Sequence, residues 1–129
     1  MTTALSDADK LGLASRFAAA SRGGDTETYR SMCTPDVITW HNFDELEVDI
    51  EQSLRAGAWL RRKVTDLVWN DVAVLPTSQG FVSQSILTGT APGGPLRLHS
   101  CLVVTVDDDG LVSRVDEYLD TAQTAPLRG

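Results

Sequence analysis

The stretch Leu60-Arg61-Arg62-Lys63-Val64-Thr65-Asp66-Leu67-Val68-Trp69 decides the fold. Up to Lys63 most apolar residues recur at helical spacing, and from Val64 onward they recur at strand spacing. The basic run Arg61-Arg62-Lys63 falls where a helix should end, because cations there complement the helix dipole and its exposed carbonyls. That reading outweighs a phosphate site. Runs of helices followed by runs of strands suggest an α+β architecture rather than alternating βαβ units.

Upstream of this junction, a first helix starts after Ser6, whose hydroxyl can cap it, with Asp9 near its positive end. Leu11, Ala14, Phe17, Ala18 and Ala20 supply its apolar stripe, and Gly23-Gly24 stops it. Asp25 opens a short second helix carrying Tyr29, Met32 and Cys33, which Pro35 terminates. Val37 to Asn42 reads as a strand. A third helix is capped by Asp49 with Gln52 three residues on, and the Gly57 in its interior points to close packing there. Downstream, four strands form a meander over Val64 to Leu75, Phe81 to Thr90, Leu96 to Val106 and Leu111 to Asp120. The tail after Thr121 has little periodicity and is read either as loose or as a cover for a pocket.

A length of 129 residues predicts one domain over residues 1–129. With 42% hydrophobic and 22% charged residues the chain can bury a core and stay soluble. No apolar run reaches the roughly eighteen residues of a membrane span. Met1 to Lys10 carries acids and is followed by no apolar leader core, so no signal peptide and no membrane partner are expected, and Cys33 and Cys101, read as reduced and buried, make a cytoplasmic location the default. Cys33 and Cys101, the only two cysteines, fit neither a disulfide framework nor a metal site. The net charge of −7 argues against nucleic acid as a partner. Two histidines far apart, with no paired-ligand spacing, predict no metal. No Gly-rich phosphate loop and no serine-hydrolase elbow occur, and no cofactor is expected.

Side chains alternate across a strand, so each strand sorts into two faces. In the last strand Leu111, Ser113, Val115, Glu117 and Leu119 share the core face, and Glu117 is its single charge. An acid aimed into an apolar interior must be paired, protonated or solvated in a cavity, and burial raises its pKa. A pairing with Arg16 or a position in water at the sheet edge is the alternative. In the preceding strand Leu96, Leu98, Ser100, Leu102, Val104 and Val106 face the core, which leaves His99 outside. In the first strand neither Val37, Thr39 and His41 nor Ile38, Trp40 and Asn42 is clearly the inner set. Histidine as a residue type titrates near neutral pH, which makes His41 a candidate base; a hydrogen-bonded structural histidine is the alternative.

The order of elements and two motifs resemble the nuclear-transport-factor-2-like superfamily, in its SnoaL-like branch. The segments that carry the resemblance are Gly24-Asp25 through Thr34-Pro35-Asp36-Val37-Ile38-Thr39-Trp40-His41-Asn42, and the closing Val115-Asp116-Glu117-Tyr118-Leu119-Asp120. The resemblance implies a cone of curved antiparallel or mixed sheet wrapped around N-terminal helices and open at one end to a deep pocket. Relatives include ketosteroid isomerase, limonene-1,2-epoxide hydrolase, scytalone dehydratase and polyketide cyclases, and homodimers through the outer sheet face are common among them. By position, His41 or Asn42 falls where these relatives place a base or a water-holding amide, and Glu117 matches the carboxylate that activates water in the epoxide hydrolase. The chain departs from both mechanisms. Ser83-Gln84-Ser85-Ile86-Leu87-Thr88 lacks the charged pair of the hydrolase, and Phe17 and Leu102 stand nearest the oxyanion-binding positions of the isomerase.

The expected function is therefore general acid–base chemistry on a small apolar substrate, of isomerase, cyclase or hydrolase type, with His41 and Glu117 catalytic. Phe17, Thr39, Trp40, Asn42, Trp59, Trp69, Ser83, Ser85, Ser100, Leu102, Val115 and Leu119 are the expected substrate contacts. The alternative is a non-catalytic binding or sensor domain for a hydrophobic small molecule. A purely structural dimerisation module comes third.

Overall fold

A computed structural model describes residues 5–129, so residues 1–4 of the segment read for a leader lie outside it. The first helix, α1 (Asp7–Gly23), begins at Ser6, whose hydroxyl accepts from the Asp9 amide at 3.0 Å while the Asp9 carboxylate accepts from the Ser6 amide at 3.1 Å. It ends at Gly24, which adopts a left-handed φ of 70°. The buried stripe of α1 is Leu13, Ala14, Phe17 and Ala20, whereas Leu11 is exposed. The helix is thus rotated slightly from the expected face.

The second helix, α2 (Thr26–Ser31), stops earlier than the position of Pro35 suggests, and the strand β1 (Cys33–His41) runs straight through that proline. Cys33 and Met32 therefore do not belong to the helix. The strand tolerates Pro35 because its pairing is irregular between Cys33 and Ile38, so no ladder bond requires the missing N–H. A two-residue strand, β2 (Glu47–Val48), was not foreseen and pairs antiparallel with β1. Next comes α3 (Ile50–Lys63), capped by Asp49 and Gln52 in a reciprocal pair of hydrogen bonds and closed by Arg61, Arg62 and Lys63.

Four long strands follow: β3 (Thr65–Pro76), β4 (Gly80–Ala91), β5 (Gly94–Val106) and β6 (Val112–Leu119). They form one six-stranded sheet in the order β2-β1-β6-β5-β4-β3. All neighbours are antiparallel except β1 and β6, which are parallel, so the sheet is mixed. The architecture is α+β.

Two irregularities in β3, between Thr65 and Val68 and between Asp71 and Ala73, add the extra residues that let an edge strand bend. A third changes which residues are inside. In β6, Thr105 faces Arg114 but Val106 faces Val112, so Ser113 is a bulge. Val112 is consequently fully buried, and the face expected to hold Leu111 and Ser113 turns outward at this end.

The core divides in two. One part lies between α1, α2 and the sheet, where Phe17 stacks near Tyr29 (centroids 4.8 Å apart) and meets the edge of Phe81 at 6.3 Å. The other gathers Val64, Leu87, Leu96 and Leu98 under Leu60, Trp69, Leu119 and Leu127. Leu127 comes from a C-terminal 3-10 helix, Thr121–Arg128, so the tail is ordered and packs on β5. Among the described residues no helix is long and apolar enough to cross a membrane.

Candidate active site

Between the helices and the inner face of the sheet lies a cavity of about 560 Å³. That is room for a compact organic molecule. Its walls are mainly apolar: Phe17 from α1, Trp59 and Leu60 from α3, Trp69 from β3, Leu87 from β4, and Leu98 and Leu102 from β5. The C-terminal 3-10 helix contributes Thr121, Thr124, Leu127 and Arg128, so the tail forms part of the wall.

His41 and Glu117 reach this cavity through the one parallel pairing in the sheet. In a parallel pair, residues in register point to the same face, and His41 is in register with Glu117. The inner face of β1 is thereby settled as Val37, Thr39 and His41. His41 Nε2 lies 4.0 Å from Glu117 Oε1, at the outer limit of an ion pair. On its other side His41 Nδ1 is 3.3 Å from Asp44 Oδ1, an approach within ion-pair range but not aligned as a hydrogen bond. The Phe43 ring stacks on the imidazole at 4.7 Å with an interplanar angle of 12°. Asp44 sits in the turn after β1, where its carboxylate also accepts from the Leu46 amide at 3.0 Å.

The imidazole thus lies between two carboxylates, with Asp44 beside Nδ1 and Glu117 beside Nε2. Burial raises the Glu117 pKa above its ordinary value; a charged His41 opposes the rise and Asp44 adds to it. Glu117 keeps 30% of its side-chain surface open and His41 keeps 15%, and both line the cavity. The pair can hold one proton between them and pass it to a bound molecule.

Of the other expected contacts, Phe17, Thr39, Trp59, Trp69, Ser100, Leu102, Val115 and Leu119 line the cavity. Trp40, Asn42, Ser83 and Ser85 do not. Trp40 faces the outer side of the sheet, where its ring meets Tyr118 edge-on at 5.5 Å. Asn42 is a structural clamp: its Nδ2 donates to the Leu119 carbonyl at 3.2 Å, its Oδ1 accepts from the Leu119 amide at 2.9 Å, and its own amide donates to the Glu117 carbonyl at 3.0 Å. It extends the β1–β6 pairing one residue past the His41–Glu117 register, and so fixes the backbone next to both residues. Ser83 and Ser85 are in register with Leu102 and Ser100, on the inner face of β4, but do not reach the cavity. His99 lies on the exposed outer face, where its amide donates to Gln123 Oε1 at 2.8 Å.

Several lining residues escaped the sequence reading. Tyr29 and Ser53 project hydroxyls from α2 and α3, and Arg61 belongs to the run read only as a helix end. Burial raises the Tyr29 hydroxyl well above its ordinary range, with Cys33 and Glu117 adding to the effect, so the phenol stays protonated. The Cys33 thiol is pushed up to about 11 by burial and stays neutral. Among the described residues no group of His, Cys, Asp and Glu converges as a metal site.

No family model and no curated protein matches the chain. Solved structures do. A pinacolase, BvnE from Penicillium brevicompactum, superposes with a TM-score of 0.81 at 14% identity, covering 99% of this chain and 94% of its own. A protein from Jannaschia sp. CCS1 described as a SnoaL-like polyketide cyclase gives a TM-score of 0.78 at 20% identity, covering 95% and 94%. The fold is SnoaL-like. A protein of ketosteroid isomerase-like fold from Catenulispora acidiphila DSM 44928, solved with trimethylamine, gives 0.70 at 10% identity over 86% of this chain and 87% of that one. At these identities the SnoaL-like architecture, with its N-terminal helices and curved mixed sheet, is what the chains share.

Proposed function

We propose that this SnoaL-like domain is an enzyme that moves a proton on a small, largely apolar substrate held in the cavity. The observation that carries the reading is the His41–Glu117 pair: two titratable groups 4.0 Å apart, both lining an otherwise apolar cavity. His41 Nε2 is the base that removes a proton from the substrate, and the protonated form of Glu117 returns one at a second substrate atom. Asp44, 3.3 Å from Nδ1, stabilises the imidazolium that forms when His41 takes the proton. An isomerisation or ring closure by this route needs no external electrons. The names polyketide cyclase and pinacolase among structures of the same fold support a small-molecule enzyme.

A binding or sensor role is the second reading, favoured by Phe17 and Leu102, apolar residues lining the wall nearest the positions where the isomerase relatives bind an oxyanion. One experiment separates the two. Small hydrophobic ligands are screened by thermal shift on wild type and on Glu117→Gln, and each stabilising compound is then examined by mass spectrometry after incubation. A compound consumed by wild type and only bound by the variant supports the enzyme. A compound bound equally by both and recovered unchanged leaves a carrier or sensor.

The protein's working form in this reading is a homodimer through the outer sheet face, where Val68 and Leu75 of β3 are 50% and 55% exposed. A cytoplasmic location goes with it and rests on the two unpaired thiols.

A further inference from the structure

The lining of the cavity carries two guanidinium groups, Arg61 and Arg128, against a single carboxylate, Glu117, in a chain whose net charge is −7. Neither arginine has a carboxylate within ion-pair range among the described residues, although Arg22, Arg30 and Arg114 all do. Arg61 is also held in place. A Cβ on Gly24 would stand 3.0 Å from its guanidinium carbon, and one on Gly57 would stand 3.3 Å from its Nη1. Two glycines, one closing α1 and one inside α3, thus leave the slot in which the planar group lies. Its Nη1 donates to the Ser21 carbonyl at 3.1 Å, and no other hydrogen bond engages the guanidinium. Four of its five N–H donors stay available.

Two hydroxyls share this helix-side wall. Ser53 Oγ is buried without a hydrogen-bond partner, and Tyr29 lines the cavity beside it. A buried hydroxyl with no partner is rare and costly unless a ligand or water completes it. Ser53, Tyr29, Gly57 and Arg61 also line a smaller recess of about 50 Å³ that adjoins the main cavity. All the donors here are neutral or cationic, whereas the sheet-side wall presents Glu117 with Asp44 behind His41. Of the two walls, the helix side alone combines a guanidinium with hydroxyl donors and carries no carboxylate of its own.

We propose that Arg61, with Ser53 and Tyr29, forms a carboxylate-binding subsite, so that the substrate is an amphipathic carboxylic acid with its apolar body along Trp69, Leu87, Leu98 and Leu102. This deepens the acid–base reading by naming the substrate class, and it rests on the same cavity. The guanidinium meets the carboxylate through charge-assisted bonds, which orient the acid with its far end toward His41 and Glu117.

The test uses phenylalkanoic acids with side chains of graded length, each paired with its methyl ester, titrated calorimetrically against wild type, Arg61→Gln, Ser53→Ala and Glu117→Gln. Wild type should bind the best acid at least tenfold more tightly than its ester. Arg61→Gln should abolish that preference while leaving the ester's affinity unchanged, and Ser53→Ala should reduce it in the same sense. An unchanged ester affinity also shows that the variant is folded. Equal binding of acid and ester by wild type, no acid bound at millimolar concentration, or an acid preference that survives Arg61→Gln would each overturn the subsite. Glu117→Gln keeps the two proposals apart: an acid preference retained there, with no compound consumed by wild type, upholds the subsite and removes the catalytic role.

Discussion

Replacing Glu117 by Gln removes a carboxyl whose pKa burial has raised above its ordinary 4.5. The folded protein holds that proton more tightly than the unfolded chain does. The group therefore contributes stability that is complete below 4.5 and is lost as the pH rises through the folded value. Glu117→Gln should accordingly melt higher than wild type at pH 8, with the gap closing toward pH 4 in calorimetric scans. A constant gap across that range would mean that Glu117 is ionised and comfortable in the folded state. Glu117 was legible as a candidate because alternation along β6 isolates one acid among mainly apolar neighbours, whereas His41 was a candidate by residue type and its face was open until the parallel β1–β6 register placed it. Tyr29, Ser53 and Arg61 were not legible. On a helix a tyrosine reads as core, and a terminal arginine reads as a partner for the dipole; only the unexplained Gly57 hinted that something packs closely there.

α3 is held differently from the strands it faces. None of its residues is fully buried, and it forms one wall of the cavity, so its stability leans on its cap and on what fills the space beneath it. Asp49→Ala should cost about 1 kcal/mol in denaturant unfolding, the usual loss on removing a helix cap. In native-state hydrogen exchange the amides of α3 should open well before those of β4 and β5, and a bound ligand should slow them first. Exchange of α3 at the same rate as the central strands would refute this. Helix starts were readable because caps are local chemistry: Ser6 with Asp9, and Asp49 with Gln52. The early end of α2, the run of β1 through Pro35 and the bulge at Ser113 were hidden, since each depends on what a distant strand offers as a partner.

At the scale of the whole molecule, Phe81 joins the helices to the sheet, being 1% exposed and in edge contact with Phe17. Phe81→Ala should destabilise by about 3–5 kcal/mol, a large share of the stability of a domain this size, measured by urea unfolding. The outer face carries a separate prediction: Val68→Glu should convert a dimer to a monomer in analytical ultracentrifugation with little change in ligand binding, and a wild type that sediments as a monomer would remove the dimer. The α+β class and the four long strands followed from patterning. The position of β6 between β1 and β5 did not, because nothing local in either strand records a parallel partner.

That insertion has a consequence for how the protein is made. On the ribosome, β1 emerges early and its neighbour β6 is the last strand of the sheet to emerge, so a chain that has made β5 but not β6 carries two open sheet edges, on β1 and on β5. The nascent chain can close neither edge until Val112–Leu119 has left the exit tunnel, and the histidine meets its glutamate only at that moment. A chain ending at Gly110 should thus be recovered in aggregates, whereas the full chain remains in the supernatant.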